Sequence, residues 1–210
     1  MPTPFTNPPP TPWPALNQWL QEAAEAGIRY PHAATLSTVD SSCEESPRPD
    51  ARIVLIHEHG PEGLLFSTDD QSPKAQQLQH NPEAAVVFYW GATERQVRVR
   101  GRVVLGSEEE SDRCFEERPR ESRVTAWASR QGAGLASREE LEKAWEAAAG
   151  RFAGVEMVPR PAHWRAYRLV AREVEFWQAA ARRLHHRGLY RRVAGSAVGE
   201  DLWEWELLWP

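Results

Sequence analysis

Val174-Glu-Phe-Trp-Gln-Ala-Ala-Ala-Arg-Arg-Leu-His-His-Arg-Gly-Leu-Tyr190 is the stretch on which the reading of this chain turns. Val174 to Gln178 predicts a strand, because Val, Phe and Trp suit a pleated, half-buried surface. Leu189 to Val193 predicts another. Between them Arg182, Arg183 and Arg187 set three fixed charges within six residues, with His185 and His186 among them. Such charges repel, and an anion seated among them relieves the repulsion. Trp177 offers a flat ring, and guanidinium forks beside a flat ring suit a phosphorylated heterocycle. Taken on charge alone, the run reads as a solvated basic turn.

The stretches before it repeat the strand pattern. In Arg95 to Leu105, Gln96, Arg98, Arg100 and Arg102 alternate with Val97, Val99 and Gly101, one face wet and one buried. Ala33 to Val39, Ala51 to His57, Leu64 to Thr68, Ala84 to Trp90, Trp164 to Leu169 and Leu202 to Leu207 also predict strands. His59 to Gly63 predicts a turn and Asp40 to Asp50 a polar hairpin loop, with Cys43 as a surface thiol in it. Leu16, Trp19, Leu20, Ala23 and Ala24 have helical spacing, with Gly27 as the stop. Ser107 to Glu110 and Ser137 to Glu140 are capping boxes that open two more helices. Leu141, Ala144, Trp145, Ala148 and Phe152 form the apolar stripe of the second. Met157 to His163 reads as a proline-marked linker. Short strands with helical inserts and no βαβ alternation predict an α+β fold on an antiparallel barrel.

Two helix starts look like anion sites. Ser72 as N-cap and Pro73 at the first helical position place Lys74 in a first turn, where N–H groups, the helix dipole and an ammonium converge. Arg118 as cap, Pro119 at the first position and Ser122 in the first turn repeat the arrangement. Taken alone, Lys74 is better read as a solvated cation on an ordinary helix.

Composition narrows the class. The 210 residues can bury a sizeable core without metals or disulfides. The net charge of −5 argues against general nucleic-acid binding. Cys43 and Cys114 are too few for a disulfide framework, which fits a reducing cytoplasm. The sequence has no secretory signal pattern and no apolar run of ~18 residues, so no membrane span is expected. Gly-x-Gly-x-x-Gly, P-loop, Gly-x-Ser-x-Gly and zincin motifs are absent, and adjacent His185 and His186 rarely ligate one ion, so no metal is expected. Met1 to Pro14 holds seven prolines, which excludes helix and central strand and predicts an extended, partly disordered arm ahead of a single domain over 15–210.

Seven blocks in order resemble the pyridoxamine/pyridoxine 5'-phosphate oxidase family. They are Arg52-Ile-Val-Leu-Ile-His57, Phe66-Ser-Thr68, Ser72-Pro-Lys74, Glu94-Arg-Gln96, Arg118-Pro-Arg-Glu-Ser122, Ala126-Trp-Ala-Ser-Arg-Gln131, and Glu175-Phe-Trp-Gln with Arg183-Leu-His185 and Arg187. The likeness runs from about Leu16 to Pro210. It implies a six-stranded antiparallel split β-barrel with flanking helices that dimerises, with FMN at the interface of the homodimer. It also implies oxidation of a phosphorylated B6 vitamer to pyridoxal 5'-phosphate, with O2 as acceptor and peroxide as product.

Carried over by motif, the resemblance assigns Arg52, Ser67, Thr68 and Lys74 to the phosphate and ribityl groups of FMN, and Gln96, Gln131, Trp177 and Arg187 to the rest of it. Arg183 and His185 fall over the substrate ring as catalytic residues, and Arg118 and Ser122 at the substrate phosphate. His57 stands where the family has a Lys, Cys114 where it has a Tyr, both substrate-phosphate positions, and Pro73 where it has a basic residue. The family's arm covers the substrate with an Arg and a Tyr, and this arm has neither. Two other readings stay open: a relative acting on an unphosphorylated tricycle, as the phenazine-biosynthesis oxidases do, and a flavin-binding module with little turnover.

Overall fold

A computed structural model of the protein describes residues 4–42, 46–193 and 201–210; Cys43 and the first three residues of the arm lie outside these. The order is α1 (Trp13–Glu25), β1 (Ala33–Asp40), β2 (Arg48–Gly60), β3 (Gly63–Asp69), α2 (Pro73–His80), β4 (Glu83–Trp90), β5 (Arg95–Leu105), α3 (Glu108–Glu116), α4 (Arg120–Ala128), α5 (Arg138–Arg151), β6 (Trp164–Gln178), a single 3-10 turn (Ala181–Arg183), β7 (His186–Arg192) and β8 (Trp203–Leu207).

The sheet runs β3-β2-β1-β4-β5-β6-β7-β8, and β3 also pairs with β6. The ladders are antiparallel, so β1 to β6 close a six-stranded barrel and β7 and β8 extend from it. β6 makes the closure. One of its edges pairs with β5; the other serves β3 over Trp164–Leu169 and β7 over Glu173–Gln178. The two strands expected in this stretch are therefore one. Arg172, between the two expected strands, is a bulge residue: Arg100 pairs with Glu173 and Gly101 with Ala171. A bulge bends a strand without ending it.

The interior follows from the alternation. Val97, Val99 and Val103 of β5 point inward with Leu36, Leu64, Phe66, Val86, Phe88, Leu169 and Phe176. α1 buries Leu16, Trp19, Leu20 and Ala23 on the same core, and Trp19 meets Phe176 edge-on. The expected start of α1 was late, because Pro14 falls where a missing N–H costs nothing and the helix opens at Trp13. The arm ahead of it is docked. Phe5 packs on the core, and Tyr190 donates from its hydroxyl to the Pro9 carbonyl at 2.9 Å.

β2 starts at Arg48, earlier than expected, because Asp40 pairs with Arg48 across the hairpin. Its outward Ile53 and Leu55 stay 64% and 52% exposed. A second bulge interrupts β2: Ile56 pairs with Phe66 and Glu58 with Leu65, which leaves His57 as the extra residue. α3 has the full capping box. Ser137 accepts from the Glu140 N–H, while the Glu140 carboxylate takes the N–H of Ala136. Two caps differ from expectation. The Ser72 hydroxyl donates to the Asp69 carbonyl and leaves α2 uncapped by a side chain, and Pro119 is the N-cap of α4, with Arg118 one residue outside. No described helix is long and apolar enough to cross a membrane.

Candidate active site

An open cavity of about 300 Å³ lies between β2, β3, α2 and α4. His57, Ser67, Thr68, Lys74, Arg118, Ser122 and Gln131 line it, together with the outward Ile53 and Leu55. Seven expected site residues, from segments more than 70 positions apart in the chain, thus meet at one place.

Lys74 reaches Thr68 Oγ1 at 3.0 Å and Gln131 Oε1 at 2.9 Å. Burial holds its ammonium below the usual lysine range, with repulsion from Arg52 adding to this and Asp69 and Asp50 opposing it. Arg52 itself donates to Thr38 Oγ1 at 2.6 Å and Gln77 Oε1 at 3.2 Å and pairs with Asp50 at 2.5 Å. Two cations beside a helix start suit a phosphate. Gly132 sets the position of Gln131. It has a φ of +83°, and a Cβ there would sit 2.4 Å from the Pro73 Cδ. Pro73, which stands where the resembled family has a basic residue, forms the wall on which the Gln131 loop rests.

The second anion feature is sharper. The Arg118 guanidinium lies 3.9 Å from the Trp164 ring centre and 5.7 Å from that of Phe115. Burial pushes its pKa down to about 10, so it stays charged at neutral pH. Arg118 Nη1 and the Trp164 indole N–H are both buried, and neither finds an acceptor in the protein. Buried donors of this kind are rare and costly unless a ligand completes them.

His57, turned by its bulge, lies 3.0 Å from Ser67 Oγ through Nε2 and 3.9 Å from the Glu117 carboxylate through Nδ1. Burial lowers its pKa; Glu117 opposes this, Arg118 reinforces it and Glu58 opposes it. Cys114 does not line the cavity. It is buried against Leu65 and Ala166, and burial raises its thiol to about 11, so it packs as a neutral apolar group.

The other expected residues form a separate group. Gln96 pairs with Trp177 across β5 and β6. The Trp177 and His185 rings lie 4.8 Å apart, and the Ala180 N–H donates to His185 Nδ1 at 3.2 Å, which leaves Nε2 to carry the proton of a neutral ring. Arg183 is exposed on the 3-10 turn, where Arg182 and Arg183 both have left-handed φ, 57° and 62°. Arg187 donates through Nε and Nη2 to Glu175 Oε1 at 2.9 and 2.8 Å. None of these residues lines the cavity. The expected site residues thus fall into two groups in a single chain.

Sequence reasoning passed over Glu175, which is buried between Arg187 and Arg98, and also Glu117, Trp164 and Gly132. A lone acid in the apolar run Val174-Glu-Phe-Trp was the available signal for Glu175. The others had none, since their roles come from neighbours distant in sequence.

The family profile described as pyridoxamine 5'-phosphate oxidase matches residues 20–152, and that described as pyridoxine 5'-phosphate oxidase C-terminal dimerisation region matches 164–210. The chain belongs to the pyridoxamine 5'-phosphate oxidase family. Among curated members, the pyridoxine/pyridoxamine 5'-phosphate oxidase of Burkholderia mallei (strain SAVP1) is 49% identical over 190 residues, 90% of this chain and 86% of that one. The protein of that name from Burkholderia thailandensis is 47% identical with the same coverage. Among solved structures, PhzG from Burkholderia lata 383, in complex with tetrahydrophenazine-1-carboxylic acid, superposes with a TM-score of 0.89 at 30% identity, over 100% of this chain and 98% of that one. A Nostoc punctiforme protein described as pyridoxamine 5'-phosphate oxidase-related and FMN binding shares the fold, with a TM-score of 0.72 at 19% identity over 95% and 98% of the two chains. The family makes this chain an oxidoreductase.

Proposed function

We propose that the chain is an FMN-dependent oxidase that converts pyridoxine or pyridoxamine 5'-phosphate to pyridoxal 5'-phosphate, with O2 as acceptor and peroxide as product. The observation that carries this reading is Arg118: charged, stacked on Trp164, and holding a buried donor with no protein acceptor. A substrate phosphate supplies that acceptor, with Ser122 in the first turn of α4 beside it. We further propose a homodimer, in which Gln96, Trp177, Arg183, His185 and Arg187 of one copy complete the cavity of the other. The exposed Ile53 and Leu55 at the cavity and the dimerisation-region match support this.

In this reading Lys74 and Arg52 hold the FMN phosphate with Ser67 and Thr68, while Gln131, Gln96, Trp177 and Arg187 meet the rest of the cofactor. When bound there, FMN would supply the two-electron oxidation of the substrate carbon. Arg118, Ser122 and His57 fix the substrate by its phosphate. Arg183 and His185 cover its reacting face, and His185, with Nδ1 occupied by the Ala180 N–H, presents Nε2 to it. The test is to purify the protein, record its visible spectrum and mass in solution, and assay peroxide with pyridoxine 5'-phosphate. A yellow dimer that releases peroxide is expected; a colourless protein that takes up no added FMN rejects the reading.

A second reading is an oxidase for an unphosphorylated polycycle. The near-complete superposition on PhzG, the neutral His57 and the withdrawn Cys114 favour it. The two divide on pH dependence. Burial keeps His57 neutral in the free protein at pH 7. A bound phosphate dianion raises its pKa, so binding takes up a proton and weakens as pH rises through the pKa of the complex. His57→Lys stays charged, flattens that dependence and binds tighter by about tenfold near pH 8. The dissociation constant, followed by flavin fluorescence from about pH 6 to 9, checks this. Parallel curves remove His57 from the phosphate site and favour the unphosphorylated substrate.

Gly132→Ala adds a strained left-handed residue at a cost of ~1–3 kcal/mol and drives a methyl into Pro73. The loop moves off α2 and takes Gln131 from Lys74. FMN affinity is expected to fall about tenfold or more, read by flavin titration; unchanged affinity takes Gln131 out of the cofactor site.

A further inference from the structure

We infer that the N-terminal arm supports the substrate-side turn from behind, with Phe5 a positioning residue for Arg183 and His185 that acts through His186. This rests on the proposed role of those two residues at the substrate.

The turn between β6 and β7 is strained. Arg182 and Arg183 both hold left-handed φ without being glycine, at a cost of ~1–3 kcal/mol each. Such a conformation persists only where its surroundings impose it. Its start is held by the Ala179 N–H, which donates to the Glu94 carbonyl at 3.1 Å, and its body by His185, which packs on Trp177 and takes the Ala180 N–H. The other end leaves the ladder at its last pair, Gln178 with His186. The buried Oε1 of Gln178 finds no donor there.

Phe5 fills this role. Its ring stacks on His186 at 5.3 Å and 26°, and its other sides meet Trp19 at 6.1 Å and Trp205 at 6.5 Å. Phe5 is itself anchored. Tyr190, on β7 with His186, donates to Pro9, and Trp13 donates from its indole to Asp201 at 2.8 Å. Prolines limit the freedom of the intervening segment, so little entropy is lost in holding it there. Gly188 lets the Trp205 ring lie on the β7 backbone, where a Cβ would come within 1.8 Å of it. The chain thus runs from arm to ring stack to the residue next to His185. It lacks the Arg and Tyr of an arm that closes over substrate, and its contacts instead brace the strand that bears the turn.

The experiment compares Phe5→Ala, Phe5→Tyr, His186→Ala and the Phe5→Ala/His186→Ala pair in the full-length FMN-bound protein. Phe5→Ala should lower kcat/KM for pyridoxine 5'-phosphate roughly tenfold, since small misplacements of a reacting group are costly. FMN content should not change, and Phe5→Tyr, which keeps the ring, should restore the rate. The double variant should be no worse than either single one, because both break the same contact. Unchanged kcat/KM in Phe5→Ala, or additive losses in the pair, overturns the proposal. Hydrogen exchange separates it from the assigned function. Phe5→Ala should speed exchange at the Ala180 N–H whatever the substrate, and unchanged exchange there also overturns it. Faster exchange in a protein that does not oxidise pyridoxine 5'-phosphate rejects the substrate and upholds the arm's role.

Discussion

Arg118→Ala raises the KM for pyridoxine 5'-phosphate by at least about a hundredfold, since charge-assisted contacts to a phosphate contribute ~1.5–3 kcal/mol each and 1.4 kcal/mol is a factor of ten. The guanidinium is held in advance by stacking on Trp164, so little side-chain freedom is lost when substrate arrives. Its pKa near 10 keeps the charge throughout the working range. Truncation removes the charge and the fork but not the wall, because Trp164 and Phe115 pack against each other as well. FMN content should therefore survive. Arg118→Lys should recover only a small part, because an ammonium neither stacks nor forks. Steady-state kinetics with the phosphorylated and dephosphorylated vitamers decides the matter. Loss confined to the phosphorylated compound is expected; equal loss on both, or none, removes Arg118 from the phosphate site and leaves the polycyclic substrate as the better reading.

Glu175→Ala should cost ~2–4 kcal/mol of stability, at the lower side of what breaking a buried ion pair costs. Glu175 is 4% exposed and receives Arg187 through two nitrogens and Arg98 through one. Removal leaves two guanidinium groups facing each other across β5, β6 and β7. Both are partly open to water and can turn outward, which limits the loss. For a chain of this length the melting temperature should drop by roughly 5–15 °C. Arg187, freed from its fork, should also hold FMN less well. Glu175→Gln, which keeps an acceptor and loses the charge, should fall between. Thermal unfolding of the FMN-free protein isolates the stability effect; a melting temperature within a degree of the parent would show that the carboxylate does not hold these strands together.

Much of the local structure was legible in the residues. The alternation of Arg95 to Leu105 specified a strand and its buried face because side chains on a strand repeat every two residues whatever lies opposite. Ser107 to Glu110 specified a helix start because its bonds span only three residues. The motif blocks named most of the residues that meet at the cavity, since blocks of this kind record chemistry directly.

What only the tertiary structure decided depends on partners far along the chain. His57 became the extra residue of a bulge because of the register β3 takes opposite β2, which the partner strand and the buried face settle together. β6 continues through Arg172 because β5, β3 and β7 pair with its two edges in succession. Cys114 withdrew from the cavity because α3 turns it onto Leu65 and Ala166. The arm looked free because prolines exclude helix and ladder but do not exclude docking. The groove that receives it is built by Trp19, Tyr190 and Trp205, and Tyr190 stands 181 positions from the carbonyl it binds. Period and capping act over a few residues and are written in the sequence itself; register, bulge and docking are settled by surfaces that exist only once the barrel has closed.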